Sequence, residues 1–510
     1  MRVVPCSLAA ILFASCSTAP APGGRDARGS RPPNIVIVLA DDLGYGDPGC
    51  YNDQSKIATP NIDRLAREGM RFTDAHSPSA VCSPTRYGLL TGRFAWRTRL
   101  QSGVLWPWDV PLIDEDRQTL PAMLRAIGYR TECVGKWHLG WDWPLRDGGH
   151  LLDEAPAHLF TVAERNTVQP RIDFLRRIRG GPLAAGFDHY FGDDVPNFPP
   201  YAFIEDDHLT QQPTAQNDER LFGHDGPMVP GWDLSAVLPA ITQRAAAIID
   251  EHARSRSSQP LFLYLALTSP HTPIAPSTRW AGTSGAGSYG DWVAETDWAL
   301  GEVLDALDRN GLADDTLVVF TSDNGSPQRD AHAFTGPVGS VKANFGHDSS
   351  RPWRGLKGDA WEGGHRIPFL VRMPEVVSAG TTEDEPIELT DLFRTLAALT
   401  GARVAPGAAE DSVDFSDLLR GAPRHGPVHE LLVMHSGSGL FAVRQGSFKL
   451  ILGKGSGGFS RYEPPPDAPE GQLYDLANDP GETENLYASR PELVTSLRAA
   501  LQRVQRGERR

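Results

Sequence analysis

Cysteine is scarce in this sequence, with five among 510 residues and no C-x-x-C pair. That excludes a disulfide framework and removes zinc-ribbon and thioredoxin-like readings. Positive charge is also short: 49 Lys and Arg stand against 64 Asp and Glu, for a net charge of −15. Such a chain has no global footprint for nucleic acid, so any anion must be held by a local cluster of cations. Past the N-terminus no apolar run reaches the roughly 18 residues of a membrane helix. Glycine and proline, at 51 and 42, fall below low-complexity levels. Ordinary globular composition remains, with 40% hydrophobic residues. The length fits one large α/β domain plus a small one as well as it fits three domains, and it needs no staples.

Arg2, the apolar stretch Leu8 to Ala14 and the small residues after it read as an export signal over 1–15. Phe13-Ala14-Ser15-Cys16 resembles a bacterial lipobox, with Cys16 lipidated, although Phe13 stands where leucine is usual. Plain cleavage after a small residue is the alternative. Residues 16–33 read as a flexible tether. Export places the protein in the periplasm, or on the outer membrane of a bacterium through a lipid anchor.

Asn34 to Ala40 is a continuous apolar, β-rich run ending in Asp41-Asp42. Runs of this kind suit a parallel strand buried on both faces. Tyr129 to Val134 leads into Gly135-Lys136-Trp137-His138, Leu261 to Leu267 into Ser269-Pro270-His271, and Leu317 to Ser322 into Asp323-Asn324. Ligands of open α/β sheets sit beyond the carboxyl ends of strands. Four strands releasing polar residues there predict one shared site. Helices are predicted over Asn61 to Glu68, Thr119 to Ile127 and Asp291 to Arg309, which makes βαβ units and a large, mixed, mostly parallel sheet. Pro144 to Asn217 reads as long loops over the site. The catalytic part is placed over 34–420. Over 421–510, short strand candidates and an amphipathic helix from Pro491 to Val504 predict a small antiparallel sheet with a terminal helix.

Asp41, Asp42, Asp323 and Asn324 offer only oxygen donors, which suits a hard dication. The same residues are also common in turns and caps. In Cys82-Ser83-Pro84-Thr85-Arg86, a helix starting near Cys82 would put residue 82 at its positive end, with Arg86 one turn on. An inert buried thiol and a solvated arginine are the plain alternatives.

Cys82-Ser83-Pro84-Thr85-Arg86 followed by Leu90-Thr91-Gly92-Arg93 resembles the activation motif of the type I sulfatases, of the alkaline phosphatase superfamily. Further matches follow in the family's order: Asp41-Asp42-Leu43-Gly44, Thr59 to Asp63, Gly135 to Gly140, Pro270-His271, Ser322 to Gly325, Gly355 to Gly358 and Leu473 to Leu476. The resemblance spans about Pro33 to Leu486 and implies an alkaline-phosphatase-like fold. It implies that a formylglycine-generating enzyme oxidises Cys82 to formylglycine, whose hydrate attacks the sulfur of a sulfate ester. It implies a metal, Ca²⁺ ahead of Mg²⁺, on Asp41, Asp42, Asp323, Asn324 and residue 82. It also implies roles for five cationic side chains, Arg86, Lys136, His138, His271 and Lys357. His271 or Lys357 would protonate the leaving alcohol, His138 would assist release of sulfate, and Lys136 would hold residue 82 and the sulfate.

Two weaker signals stay open. Trp106, Trp108, Trp137, Trp141 and Trp143 could stack on a sugar, though core packing explains most such residues. Asp193, Asp194, Tyr201, Asp206 and His208 could line a pocket, with solvated loop as the default. The leading function is hydrolysis of a sulfated carbohydrate. A phosphomonoester or phosphonate hydrolase and a non-catalytic surface glycan-binding protein are the alternatives.

Overall fold

The computed structural model describes residues 32–155, 159–218, 220–255, 258–330 and 336–508. The expected signal, Cys16 and nearly all of the tether lie outside them. No helix among the described residues is long and apolar enough to cross a membrane.

Strands β1 (Asn34–Asp41), β2 (Met70–Phe72), β3 (Arg130–Gly135), β4 (His189–Gly192), β5 (Ile204–Glu205), β6 (His208–Leu209), β7 (Leu261–Pro270), β8 (Thr316–Ser322), β9 (Phe369–Arg372) and β10 (Thr381–Glu383) form one sheet. Its order is β10-β2-β9-β8-β1-β7-β3-β4-β5-β6. The centre, β8-β1-β7-β3-β4, is parallel. Antiparallel pairings enter on both flanks.

All eight residues of β1 are buried. Ile35, Ile37 and Leu39 point into one core; Val36, Val38 and Ala40 point into the other. That two-sided burial explains why β1 lacks the alternation of a half-exposed strand. Helices α1 (Pro60–Glu68), α4 (Val237–Ser255) and α5 (Gly287–Arg309) cover the second face. Helices α2 (Cys82–Thr91), α3 (Leu120–Ala126) and α7 (Leu392–Thr400) cover the first, and the single-turn α6 (Glu362–His365) sits between sheet and C-terminal part.

The reading of 144–217 as loops is corrected in part. Its strands β4, β5 and β6 extend the main sheet beyond β3. They are two to four residues long, too short for periodicity to reveal, and exist through their pairing.

The smaller antiparallel sheet contains β11 (Leu432–His435), β12 (Phe441–Gln445), β13 (Phe448–Ile451) and β14 (Gln472–Asp475), in that order. Val433, Val443, Leu450 and Leu473 pack under α8 (Pro491–Gln505) through Val494, Leu497, Leu501 and Val504. Its other face meets Ala360 and Trp361.

A buried charge network joins the two sheets. Arg444 of β12 grips both oxygens of Asp74 at 2.8 Å. Lys449 of β13, fully buried, reaches Glu362 at 2.9 Å, Glu482 at 2.9 Å and His365 at 3.0 Å. His76 Nδ1 lies 2.9 Å from His365 Nδ1, and Arg366 holds Glu362 at 3.0 Å. His76, Glu362 and His365 could hold a metal by their atom types. The ammonium of Lys449 already occupies Glu362 Oε1 and His365 Nε2, and His76 is taken by Asp74 and His365, so the cluster is an ion-pair network.

Candidate active site

The central strands deliver their end residues to one place. Asp41 ends β1 and Asp42 follows it, Lys136 and His138 follow β3, His271 follows β7, and Asp323 and Asn324 follow β8. Asp42 and His138 have positive φ, 68° and 57°, a region rare for residues other than glycine. Such backbone strain concentrates at working sites. Gly325 continues the tight fit: a Cβ there would stand 1.9 Å from the carbonyl oxygen of Gly363.

Residue 82 opens α2. Val81 before it is extended and gives no side-chain cap, so the first-turn amides are left to other partners. Pro84 lacks an N–H and suits that turn. All ten residues of α2 are buried, and Gly92 closes it at φ 62° with its N–H on Gly88. The Cys82 thiol donates to Asp41 Oδ1 at 3.6 Å, and Lys357 Nζ lies 3.5 Å from the sulfur. Burial pushes this thiol up to about 12, against the pull of Lys136 and Lys357. An unmodified Cys82 is therefore un-ionised at neutral pH and a poor nucleophile.

Each cation is paired with a carboxylate. Arg86 reaches Asp323 Oδ2 through Nε at 3.1 Å and Nη2 at 2.8 Å, and its Nη1 donates to the Lys136 carbonyl at 3.1 Å. Lys136 Nζ lies 2.6 Å from Asp41 Oδ2, and Lys357 Nζ lies 2.6 Å from Asp42 Oδ1. Burial alone would raise the Asp41 acid, but Lys136, Arg86 and Lys357 outweigh it and hold it below the usual range. Burial depresses Lys357 too, yet Asp42 and its neighbours raise it overall, so its ammonium stays charged.

The histidines correct the expectation of five cations. Burial, then Lys136, holds His138 well below its ordinary value. Burial, then Lys357, does the same to His271. Both are neutral at pH 7, leaving three charged groups. His138 Nε2 lies 2.9 Å from the Leu105 carbonyl, which can only accept, so Nε2 carries the hydrogen. Its Nδ1 is buried with no hydrogen-bond partner among the described residues, a free lone pair. His271 Nδ1 meets the Thr272 carbonyl, and its Nε2 stands 3.8 Å from Asp42 Oδ2.

These residues fit a dication. One ligand atom each from Asp41, Asp42, Cys82 and His271 lies within 4.8 Å of the others. Asp323 Oδ1 accepts the Asp42 N–H at 3.2 Å, and Asn324 Nδ2 donates to Asp42 Oδ1 at 2.7 Å. The Asn324 Oδ1 is buried with no hydrogen-bond partner among the described residues, a ligand atom left over. Three crowded carboxylates and an orphaned amide oxygen match hard, oxygen-seeking ions.

Sequence reasoning missed several supports. Asp194, left as solvated loop, accepts the His138 N–H at 3.0 Å. Asp193 is buried beside it, raised to about 7 by burial and by Asp194. Ser322 accepts from Leu43 N at 3.0 Å and donates to the Asn324 carbonyl at 2.9 Å, tying β1 to β8. Of the other pocket candidates, Tyr201 is core, while Asp206 and His208 lie at the β5-β6 hairpin. Trp108, Trp137, Trp141 and Trp143 are core as well; Trp106 is 40% exposed.

The sulfatase family model matches residues 33–402. The chain belongs to the sulfatase family. It is 31% identical to an N-acetylgalactosamine-6-O-sulfatase of Bacteroides thetaiotaomicron, over 93% of each chain. It is 33% identical to human arylsulfatase A, covering 92% of this chain and 87% of that one. A Bacteroides thetaiotaomicron structure described under glycosaminoglycan metabolism superposes with a TM-score of 0.76 at 30% identity, covering 93% of this sulfatase and 99% of that chain. The sulfatase is thus a sulfuric ester hydrolase with the alkaline-phosphatase-like fold of its neighbours.

Proposed function

We propose that this sulfatase is exported and releases inorganic sulfate from a sulfated carbohydrate, using formylglycine made from Cys82. The observation that carries the reading is the place of Cys82: first residue of a buried helix, 3.6 Å from Asp41 and 3.5 Å from Lys357. The carbohydrate class is supported by the bacterial relative named as an N-acetylgalactosamine-6-O-sulfatase, matched almost end to end. Export rests on the N-terminal pattern and Cys16, with the periplasm or outer membrane as destination and a formylglycine-generating enzyme as maturation partner. The catalytic part is assigned to 34–420 and the C-terminal part to 421–510.

Asp41, Asp42, Asp323, Asn324 and residue 82 would hold Ca²⁺, which when bound would polarise the reacting oxygen. The hydrated aldehyde supplies two hydroxyls, one to attack sulfur and one whose deprotonation expels sulfate, a second step that serine or a thiol lacks. The remaining work falls to the protein's own side chains. Lys136, Lys357 and Arg86 present fixed positive charge where negative charge builds on the sulfuryl group. Lys357, as an ammonium, is the proton donor for the leaving alcohol; His271, neutral with its Nδ1 hydrogen on the Thr272 carbonyl, turns an Nε2 lone pair toward Asp42 and helps position the group. The Nδ1 lone pair of His138 accepts the proton released as sulfate departs.

Sulfate release from a panel of sulfated sugars, beside aryl phosphate and phosphonate esters, tests this reading. The expected result is turnover of sugar sulfates that is lost in Cys82→Ala. A preference for phosphorus esters, or sulfate release that survives Cys82→Ala after metal removal, would overturn it.

A further inference from the structure

Among the described residues, one arginine beside the site has neither a hydrogen-bond nor an ion-pair partner. Arg329 lies five residues after Asn324, on the loop leaving β8. Its side chain is half-buried, yet no described residue gives it a hydrogen bond or an ion pair, and its Nε is buried without an acceptor. Burying a charge without a counter-ion is costly, and proteins seldom keep such a group unless something else pairs it.

The loop is built to hold this arginine still. Before it, Gln328 N donates to Ser326 Oγ at 2.9 Å, its Nε2 to Asp348 at 2.8 Å, and its carbonyl accepts Val341 N at 3.0 Å. After it, Asp330 N donates to Ser340 Oγ at 2.8 Å and its carboxylate accepts Tyr289 N at 3.0 Å. Gln328 takes a positive φ of 52°, a strained turn that sets the direction of the next residue.

The guanidinium carbon stands 5.5 Å from the Phe459 ring centroid. Phe459 is 38% exposed, and its N–H donates to the Lys357 carbonyl at 3.2 Å. Arg329 also lies within electrostatic reach of Asp42. The pair therefore borders the Lys357 side of the reaction centre.

Charge matching says what it would bind. Arg86, Lys136 and Lys357 are already matched by Asp323, Asp41 and Asp42. Arg329 is not. We infer that Arg329, backed by the open face of Phe459, is a specificity subsite for a second anionic group of the substrate, a carboxylate or further sulfate beside the sulfate being cleaved. A guanidinium forks onto either anion, and the apolar ring takes the face of the sugar that carries it. This inference rests on the carbohydrate reading above.

The test compares wild type with Arg329→Gln and Arg329→Lys, each checked for conversion of residue 82 and for its thermal unfolding midpoint. Four probes are used: 4-nitrophenyl sulfate, N-acetylgalactosamine 6-sulfate, the same sugar with a second sulfate, and the same sugar linked to a uronic acid. Any sugar not turned over is measured as a competitive inhibitor of 4-nitrophenyl sulfate. The expected result is a loss in Arg329→Gln that is about 10- to 100-fold larger for the doubly charged sugars than for the singly charged one. Arg329→Lys should recover part of it. The two doubly charged probes separate sulfate from carboxylate as the partner. Equal losses on all probes, or none, would overturn the inference and leave the carbohydrate reading standing. Failure of wild type to cleave or bind any sugar, with 4-nitrophenyl sulfate still hydrolysed, would overturn both.

Discussion

Replacing Lys449 with methionine should loosen the joint between the two sheets in a pH-dependent way. The ammonium is fully buried on Glu362 and Glu482, both at 2.9 Å. Without it Glu362 keeps Arg366 at 3.0 Å, but among the described residues the Glu482 carboxylate keeps only the Glu362 N–H at 2.7 Å. Breaking a buried pair on one side costs about 3–5 kcal/mol. Glu482 can escape part of that by taking a proton. Burial already raises it to about 7 with Lys449 present, and losing Lys449 raises it further. A carboxyl whose folded value lies above its unfolded value of about 4.5 contributes stability at low pH that is lost as pH rises. The Lys449→Met deficit should thus be small near pH 5 and grow once pH passes about 7, by up to about 1.4 kcal/mol per pH unit, reaching only part of its full size at pH 8. Thermal unfolding midpoints across that range, with Glu482→Gln and the double variant completing a cycle, provide the assay. The double variant should recover at least half of the alkaline loss. A deficit that is flat with pH, or two single effects that simply add, would refute the reasoning. Activity should fall alongside stability, because Glu362 begins the turn whose Gly363 carbonyl abuts Gly325, next to Asn324.

Other outcomes follow from the site and the small sheet. Asn324→Ala removes the orphaned oxygen and should weaken Ca²⁺ binding about 10- to 100-fold by calorimetry while leaving the fold intact; unchanged affinity would exclude Asn324 as a ligand. Chelation should lower the unfolding midpoint, and added Ca²⁺ should restore it in proportion to the logarithm of its concentration; no response would leave the carboxylate cluster without its ion. Burial lowers His435 to about 4, so its unfolded form binds a proton first and stability is lost as pH falls from about 6.5 to about 4. His435→Phe should remove roughly 3 kcal/mol of that acid sensitivity, read from urea midpoints at pH 7 and pH 4; an unchanged acid slope would reject it.

The strand ends were legible because β1, β7 and β8 are buried on both faces, which leaves long apolar runs that stop at polar residues. Pairing of Asp323 with Arg86 and of Asp41 with Lys136 follows once those strands are neighbours, and no spacing along the chain encodes it. The histidine charges were misread for a physical reason: residue type sets a histidine's capacity for charge, while burial decides its use. Arg329 was invisible because Gln328-Arg329-Asp330 looks like any solvated loop until the hydrogen bonds on both sides are seen. The Lys449 network draws on separate segments around Asp74, Glu362, Arg444 and Glu482, so it exists only in the folded chain.

The chemistry of residue 82 admits the most direct measurement. Peptide mass analysis across Cys82 to Arg86 of the active protein should show the aldehyde, lighter than the thiol it replaces, with the converted fraction tracking specific activity across preparations. A peptide carrying an intact thiol in protein that releases sulfate at full rate would contradict the account.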